Sequence, residues 1–129
     1  FAYSRRDKTH AARVYEDNVP ATVKQQRLQE IIDTFHTNVH KKNLHEVGKL
    51  RLILVEGESK RSADVLHGRT DQNKRILFPN DTTCSEDDLS SRTKLQAGDY
   101  AVVQVTEAKG HTLRGNVLWK ADSIASFAN

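Results

Sequence analysis

One cysteine, no methionine, two prolines and one tryptophan stand among 129 residues, and each scarcity removes a class of protein. A lone Cys84 excludes an internal disulfide framework and any cysteine-ligated zinc or iron–sulfur site built from this chain alone, so a reducing compartment fits best. The longest aliphatic run, Leu52–Val55, falls far short of the roughly 20 residues a membrane helix requires, and no signal-like stretch opens the chain. The chain therefore reads as soluble, with no membrane partner. Its six glycines never cluster, which rules out a phosphate-cradling glycine loop. With no methionine and an opening FAYS that begins as though inside a strand, the chain is expected to be an excerpt of something longer.

What is present is charge and strand-forming sequence. Hydrophobic residues make up 36% and charged residues 29%, enough for one modest domain plus an appendage. The formal charge of +3 is too small to identify a polyanion partner, but its distribution is uneven. From Val47 onward there are 12 basic and 11 acidic residues, and segment 80–97 holds four of the acids against two bases. Setting that segment aside leaves ten cations against seven acids, so an acidic loop masks a basic body.

From Asn18 to about Asn43, Leu28, Ile31, Ile32, Phe35 and Val39 recur at helical spacing, with Pro20 placed for the first turn. The opposite face is polar, so this helix is expected to pack on one side only. Residues 1–17 read as a short strand-like start followed by charges. After Gly48 the period becomes strand-like, and Leu50–Glu58, Asp64–Thr70, Lys74–Pro79, Asp99–Ala108 and Thr112–Lys120 are expected as five strands. Gly57 and Gly68 mark bends or bulges, and Gly98 and Gly110 mark turns. Alternation in the last strand puts Leu113, Gly115, Val117 and Trp119 on one face, with Phe78 and Trp119 expected in the core. Closure removes exposed edges, so the expected fold is mainly β with an N-terminal helix (α+β): a small five-stranded antiparallel barrel of OB-like type. Residues 80–97 are expected as a polar loop. The domains are expected at 1–46, 47–121 and a flexible tail 122–129.

Lys60, Arg61, Arg69, Lys74, Arg75 and Arg114 flank the bends or point outward, and antiparallel neighbours can gather them on one side, each neutralising an RNA phosphate. From charge alone an ordinary solvated surface reads equally well. Strand aromatics are few, so reading of RNA backbone or shape is favoured over base stacking. His36 and His40 are spaced for a metal, but no carboxylate completes a set except Glu46, and a solvated helix flank is the simpler reading. Cys84 sits among acids that dull a thiolate, and His67 or His111 near Asp64 or Asp99 is a combination that chance readily supplies. No catalytic or metal residue is expected.

LVEGESKRS (Leu54–Ser62), GRTDQN (Gly68–Asn73), GDYAVVQVTEA (Gly98–Ala108) and TLRGNV (Thr112–Val117) resemble the TRAM domain of MiaB-like tRNA methylthiotransferases. FAYSRRDKTHAA (Phe1–Ala12) and NVPATVKQQRLQEII (Asn18–Ile32) are similar to the closing strand and following helix of that family's radical-SAM domain. Phe78–Pro79 followed by a long acidic insert looks most like the eukaryotic mitochondrial branch, named for association with a regulatory subunit of cyclin-dependent kinase five. The resemblance implies methylthiolation of an isopentenyl-modified adenosine beside the anticodon, using S-adenosylmethionine and two [4Fe–4S] clusters held outside this chain. It also implies mitochondrial residence, with the cytoplasm as the alternative. It places Lys60, Arg61 and Ser62 in the family's basic turn, Arg69 in its GR element and Arg114 in its LRG signature. The implied partners are the anticodon arm of tRNA and the parent's own radical-SAM domain, with the chain a monomer. A protein-docking module acting through helix 20–43 and the acidic loop is the alternative function.

Overall fold

The computed structural model describes residues 1–84, 90, 92–122 and 124, and contacts divide the chain into two compact units after Asn38. In the first unit, α1 (His10–Val14) starts where Thr9 Oγ1 accepts the Ala12 amide proton at 3.2 Å, an N-cap that satisfies one otherwise open donor. The Lys24 ammonium pairs with Asp17 and sits 5.6 Å from the centre of the Tyr3 ring. The strand expected at the N-terminus does not form. No described segment pairs with residues 1–6, and a strand without a partner has no ladder to hold it.

Helix α2 (Ala21–Leu44) begins after Pro20, whose carbonyl accepts from Val23 and Lys24, and carries Lys41 and Lys42 in its last turn, where cations favour the helix dipole. Along the expected apolar face, Leu28, Ile32 and Val39 are half-buried, whereas Ile31 and Phe35 remain 67% and 55% exposed. The helix's last turn belongs to the second unit.

That unit is built on β1 (Leu50–Ser59), β2 (Ser62–Thr70), β3 (Arg75–Pro79), β6 (Tyr100–Lys109) and β7 (Thr112–Ala121), which close in the order β1-β2-β3-β7-β6. The expected five strands are all present, but the ring is not wholly antiparallel: β3 and β7 run parallel, from Arg75↔Thr112 to Leu77↔Arg114. The cause is parity. Strand directions that alternate around a ring cannot return to their start when the number of strands is odd, so one seam must be parallel. The excursion 80–99 is also more than a polar loop, because β4 (Thr82–Cys84) pairs antiparallel with β5 (Arg92–Lys94) as a separate ribbon. Threonine-rich triplets suit such an edge. Acidic Glu86, Asp87 and Asp88, and most of the expected tail 122–129, lie outside the described residues.

Ile53, Val55, Leu66, Ile76, Phe78, Ala101, Val103, Val105 and Leu113 fill the barrel, and Leu95 from the excursion joins them. Both long hairpins use one device. Gly68 on β2 lies against the Leu54 carbonyl, and Gly115 on β7 lies against the Gln104 carbonyl. A Cβ at either position would stand 2.5 Å from that oxygen. Beside each, the facing strand bulges, at Val55/Gly57 in β1 and at Val105/Glu107 in β6. Bulges of this kind coil a sheet tightly enough to close it. A further irregularity at Val102/Val103 corrects one expectation: Leu118 is extra in β7, so Trp119 pairs with Val102 and lies outside the core cluster. One inserted residue exchanges the faces of all that follow.

Candidate nucleic-acid interface

The register arranges the expected cations in space. Arg69 lies directly opposite Arg75 across β2 and β3, and Arg114 lies beside Leu77 across the parallel seam. Because Ile76, Phe78 and Leu113 point inward, Arg75, Leu77 and Arg114 share the outer surface. Beyond Leu77↔Arg114 the two strands no longer pair, and a groove of about 470 Å³ opens there. Its floor includes Val65, Leu77 and Pro79, and its rim carries Arg61, Ser62 and Arg114 together with Ser59, Glu107 and Asn116. Pro79 and Asn116 also line a smaller cleft beside Thr82 and Thr83, so the depression continues toward the β4–β5 ribbon. Thr83 Oγ1 and Cys84 Sγ both donate to the Leu118 carbonyl, at 3.5 and 3.8 Å, which hangs that ribbon on β7.

Of the seven expected site residues, Arg61, Ser62 and Arg114 meet at the groove. Lys60 sits in the same β1–β2 turn, exposed. Arg69 and Arg75 form an adjacent pair further along β2 and β3. Arg75 Nε is buried without a hydrogen-bond partner, and among the described residues Arg75 makes no ion pair. Lys74 is engaged elsewhere, with its ammonium 3.9 Å from the Glu46 carboxylate and 3.5 Å from the Lys42 carbonyl.

Glu46 is the centre of a network that links the segment after α2 to the barrel. Its side chain is 6% exposed, receives Arg51 Nε at 2.6 Å, and has the Lys49 ammonium at 3.4 Å. The Arg51 hydrogen bond holds the Glu46 carboxyl below its ordinary value, outweighing the upward effect of burial. This occupation leaves Glu46 no role beside His36 and His40. Among the described residues no three His, Cys, Asp or Glu side chains are gathered for a metal. His67 Nδ1 is 2.9 Å from the Gly57 carbonyl, and Asp99 receives Lys120 at 2.9 Å, so neither residue is part of an acid–base pair with the other.

Two acids on the basic surface were missed in the sequence. Glu107 lies 3.8 Å from Arg114, and Glu56 lies 3.6 Å from Arg69 and 3.7 Å from His67. The hairpin pairing Glu107↔Arg114 was the available signal, but the bulge beside it hides the register. Both pairs are well exposed, so water and salt screen them and an incoming phosphate can displace the carboxylate.

A small closed barrel with one parallel seam and a groove carrying arginines beside that seam defines a small OB-like barrel module. Residues 45–118 match the TRAM domain, and the chain belongs to that family. The chain is 45% identical over 118 residues, 92% of its length, to the mitochondrial tRNA methylthiotransferase CDK5RAP1 of Homo sapiens, of which this covers 20%. It is 41% identical to a CDK5RAP1-like protein of Oryza sativa subsp. japonica, over 98% of this chain and 21% of that one. It is also 42% identical to the tRNA-2-methylthio-N(6)-dimethylallyladenosine synthase of Bacteroides thetaiotaomicron, over 89% of this chain and 23% of that enzyme. The chain thus spans about a fifth of the length of the curated relatives it matches.

Proposed function

We propose that this chain is the tRNA-holding module of a tRNA methylthiotransferase, gripping the anticodon arm while chemistry occurs in parts of the parent outside it. The observation that carries the reading is the meeting of Arg61, Ser62 and Arg114 around the groove, in a chain whose relatives are named for acting on tRNA. Guanidinium groups suit bidentate contact with phosphate, while Ser62 and Asn116 offer hydrogen bonds to sugar or phosphate oxygens. The apolar floor of Leu77, Val65 and Pro79 can lie against a ribose or base. The iron–sulfur clusters and S-adenosylmethionine implied for the parent do not fit this chain: Cys84 alone cannot supply a cluster's thiolates, so no step is assigned to it. Mitochondrial residence follows the names of the mammalian relatives.

The test is tRNA affinity of the whole chain over a salt series. Arg114→Glu, and Lys60→Glu with Arg61→Glu, should each weaken binding at low salt and flatten its salt dependence. Affinity indifferent to salt and to all three substitutions would remove the RNA role. A second reading, docking of a protein through α2, is favoured by the exposure of Ile31 and Phe35. It requires that Ile31→Glu with Phe35→Glu abolish capture of a protein that survives nuclease treatment, with tRNA affinity unchanged.

A further inference from the structure

We propose that a second set of cations, at the β6–β7 turn and the end of α2, carries the same RNA strand beyond the groove; it rests on the tRNA-holding reading above. The register places it next to the groove: on β6 and β7 the groove residues Glu107 and Arg114 stand two residues, about 7 Å, from the pair Lys109↔Thr112. There the last turn of α2 and the β6–β7 turn are tied together. Asn43, 3% exposed, donates its side-chain amide to the Gly110 carbonyl at 2.9 Å. That bond holds the helix end that carries Lys41 and Lys42 against the turn that follows Lys109. All three lysines are exposed, and among the described residues none makes an ion pair.

The neighbouring charges separate structural cations from available ones. Lys49, Arg51 and Lys74 are committed to Glu46. Lys74 also donates to the Lys42 carbonyl, satisfying one of the helix's terminal acceptors and offsetting the negative end of its dipole. The exposed acid of the β2–β3 turn is Asp71, which lies within electrostatic reach of Arg51. Lys41, Lys42 and Lys109 are left for an external anion.

Arg69 and Arg75 stand beside the second set, with Arg75 opposite Thr112 across the parallel seam. Like charges directly opposite across strands disfavour a sheet; the exposed Glu56, 3.6 Å from Arg69, offsets this in the free protein, and a row of phosphates can take its place. The groove, the arginine pair and the lysine cluster therefore lie next to one another along β2, β3 and β7. A polyanion with evenly spaced charges suits that line, and its occupant is RNA backbone.

The experiment titrates the full chain with bulk tRNA between 50 and 200 mM salt, comparing the unsubstituted chain with Lys41→Gln, Lys42→Gln and Lys109→Gln combined. Each lost phosphate contact lowers the slope of log affinity against log salt by about 0.7 to 0.9, so the triple variant should lose about two to three units of slope. Expressed as affinity, the unsubstituted chain should weaken about twenty- to fortyfold more than the variant across that range. The same titration on Arg61→Gln with Arg114→Gln reports on the groove. A groove variant that loses slope beside a lysine variant that keeps it overturns this proposal and leaves the tRNA-holding reading standing. If neither loses slope, both fall. Polyglutamate displacing tRNA through the lysines at equal charge would make the surface a site for acidic protein, which also overturns the proposal. Because the three side chains are exposed, an unchanged melting temperature shows that the fold is intact.

Discussion

Gly115→Ala tests how the barrel closes. At Gly115 the backbone angles are ordinary for any residue, so only space stands in the way. The added Cβ would lie 2.5 Å from the Gln104 carbonyl oxygen, 2.5 Å from Val103 Cγ1 and 3.2 Å from the Gln104 carbonyl carbon. Two of these atoms are backbone of β6, the strand with which β7 shares its longest pairing, and Val103 is fully buried. Neither neighbour can swing aside as a flexible side chain could. Overpacking of this kind costs about 1 to 3 kcal/mol, and the reduced freedom of the unfolded chain offsets about 0.4 to 1 kcal/mol of it. A net loss of about 1 to 2 kcal/mol lowers the melting temperature by roughly 5 to 15 °C for a domain of this size. Differential scanning calorimetry on the unsubstituted chain, Gly115→Ala and Asn116→Ala gives the comparison. Asn116 is exposed beside it and should shift stability by less than about 0.5 kcal/mol. A Gly115→Ala protein as stable as Asn116→Ala would refute the close approach as the means of closure.

Acid should unfold the barrel early. The Arg51 bond lowers the Glu46 carboxyl, and at Asp99 the Lys120 ammonium and the Gln96 amide outweigh burial to do the same. Both folded values lie below the unfolded ones, so their stabilisation is complete above the ordinary carboxylate range and is lost as pH falls through the folded values. Urea midpoints from pH 7 to 3 should show that fall, and Arg51→Met should cost about 1 to 3 kcal/mol at neutrality and make the fall shallower, because the Glu46 carboxyl loses the partner that holds it low and has less stabilisation left to lose on protonation. Glu107→Gln should tighten tRNA binding about 1.5- to 5-fold at low salt by freeing Arg114, the scale of an exposed ion pair. Fluorescence anisotropy measures it, and weaker binding would mean that Glu107 itself contacts the RNA.

Local signals carried the sequence reading, and its failures are all long-range. The five barrel strands were legible because alternation and punctuating glycines are properties of neighbours along the chain, and Gly57 does mark a bulge, with φ at +142°. Trp119 was misplaced because a bulge at Leu118 is decided by the facing strand. The β4–β5 ribbon was hidden because three-residue strands have too little periodicity to rise above polar neighbours. That Lys74, expected among the RNA contacts, also pairs with Glu46, 28 positions earlier, is something no local signal shows. The basic turn at Lys60–Arg61 and the LRG segment were visible as motifs. Their meeting at one groove depends on β3 and β7, which are far apart in sequence.

The parallel seam also explains where the site falls. Four of the five seams are antiparallel, and three of them are hairpins whose turns fix the register. The odd seam has no connecting turn. It joins strands separated by the entire β4–β6 segment, and it holds three residue pairs before β3 turns away at Pro79, which has no amide proton to donate. Past that point the outer edge of β7 faces a space that neither strand fills, and the β1–β2 turn with Arg61 projects beside it. Ring parity requires a parallel seam in a five-stranded barrel, and here that seam is short, so a groove opens beside it at little cost to the core. A sequence that places arginines on that seam and on the adjacent turn converts a geometric necessity into a surface for an anionic strand. Arg114, the seam's last paired residue, is where the two requirements coincide.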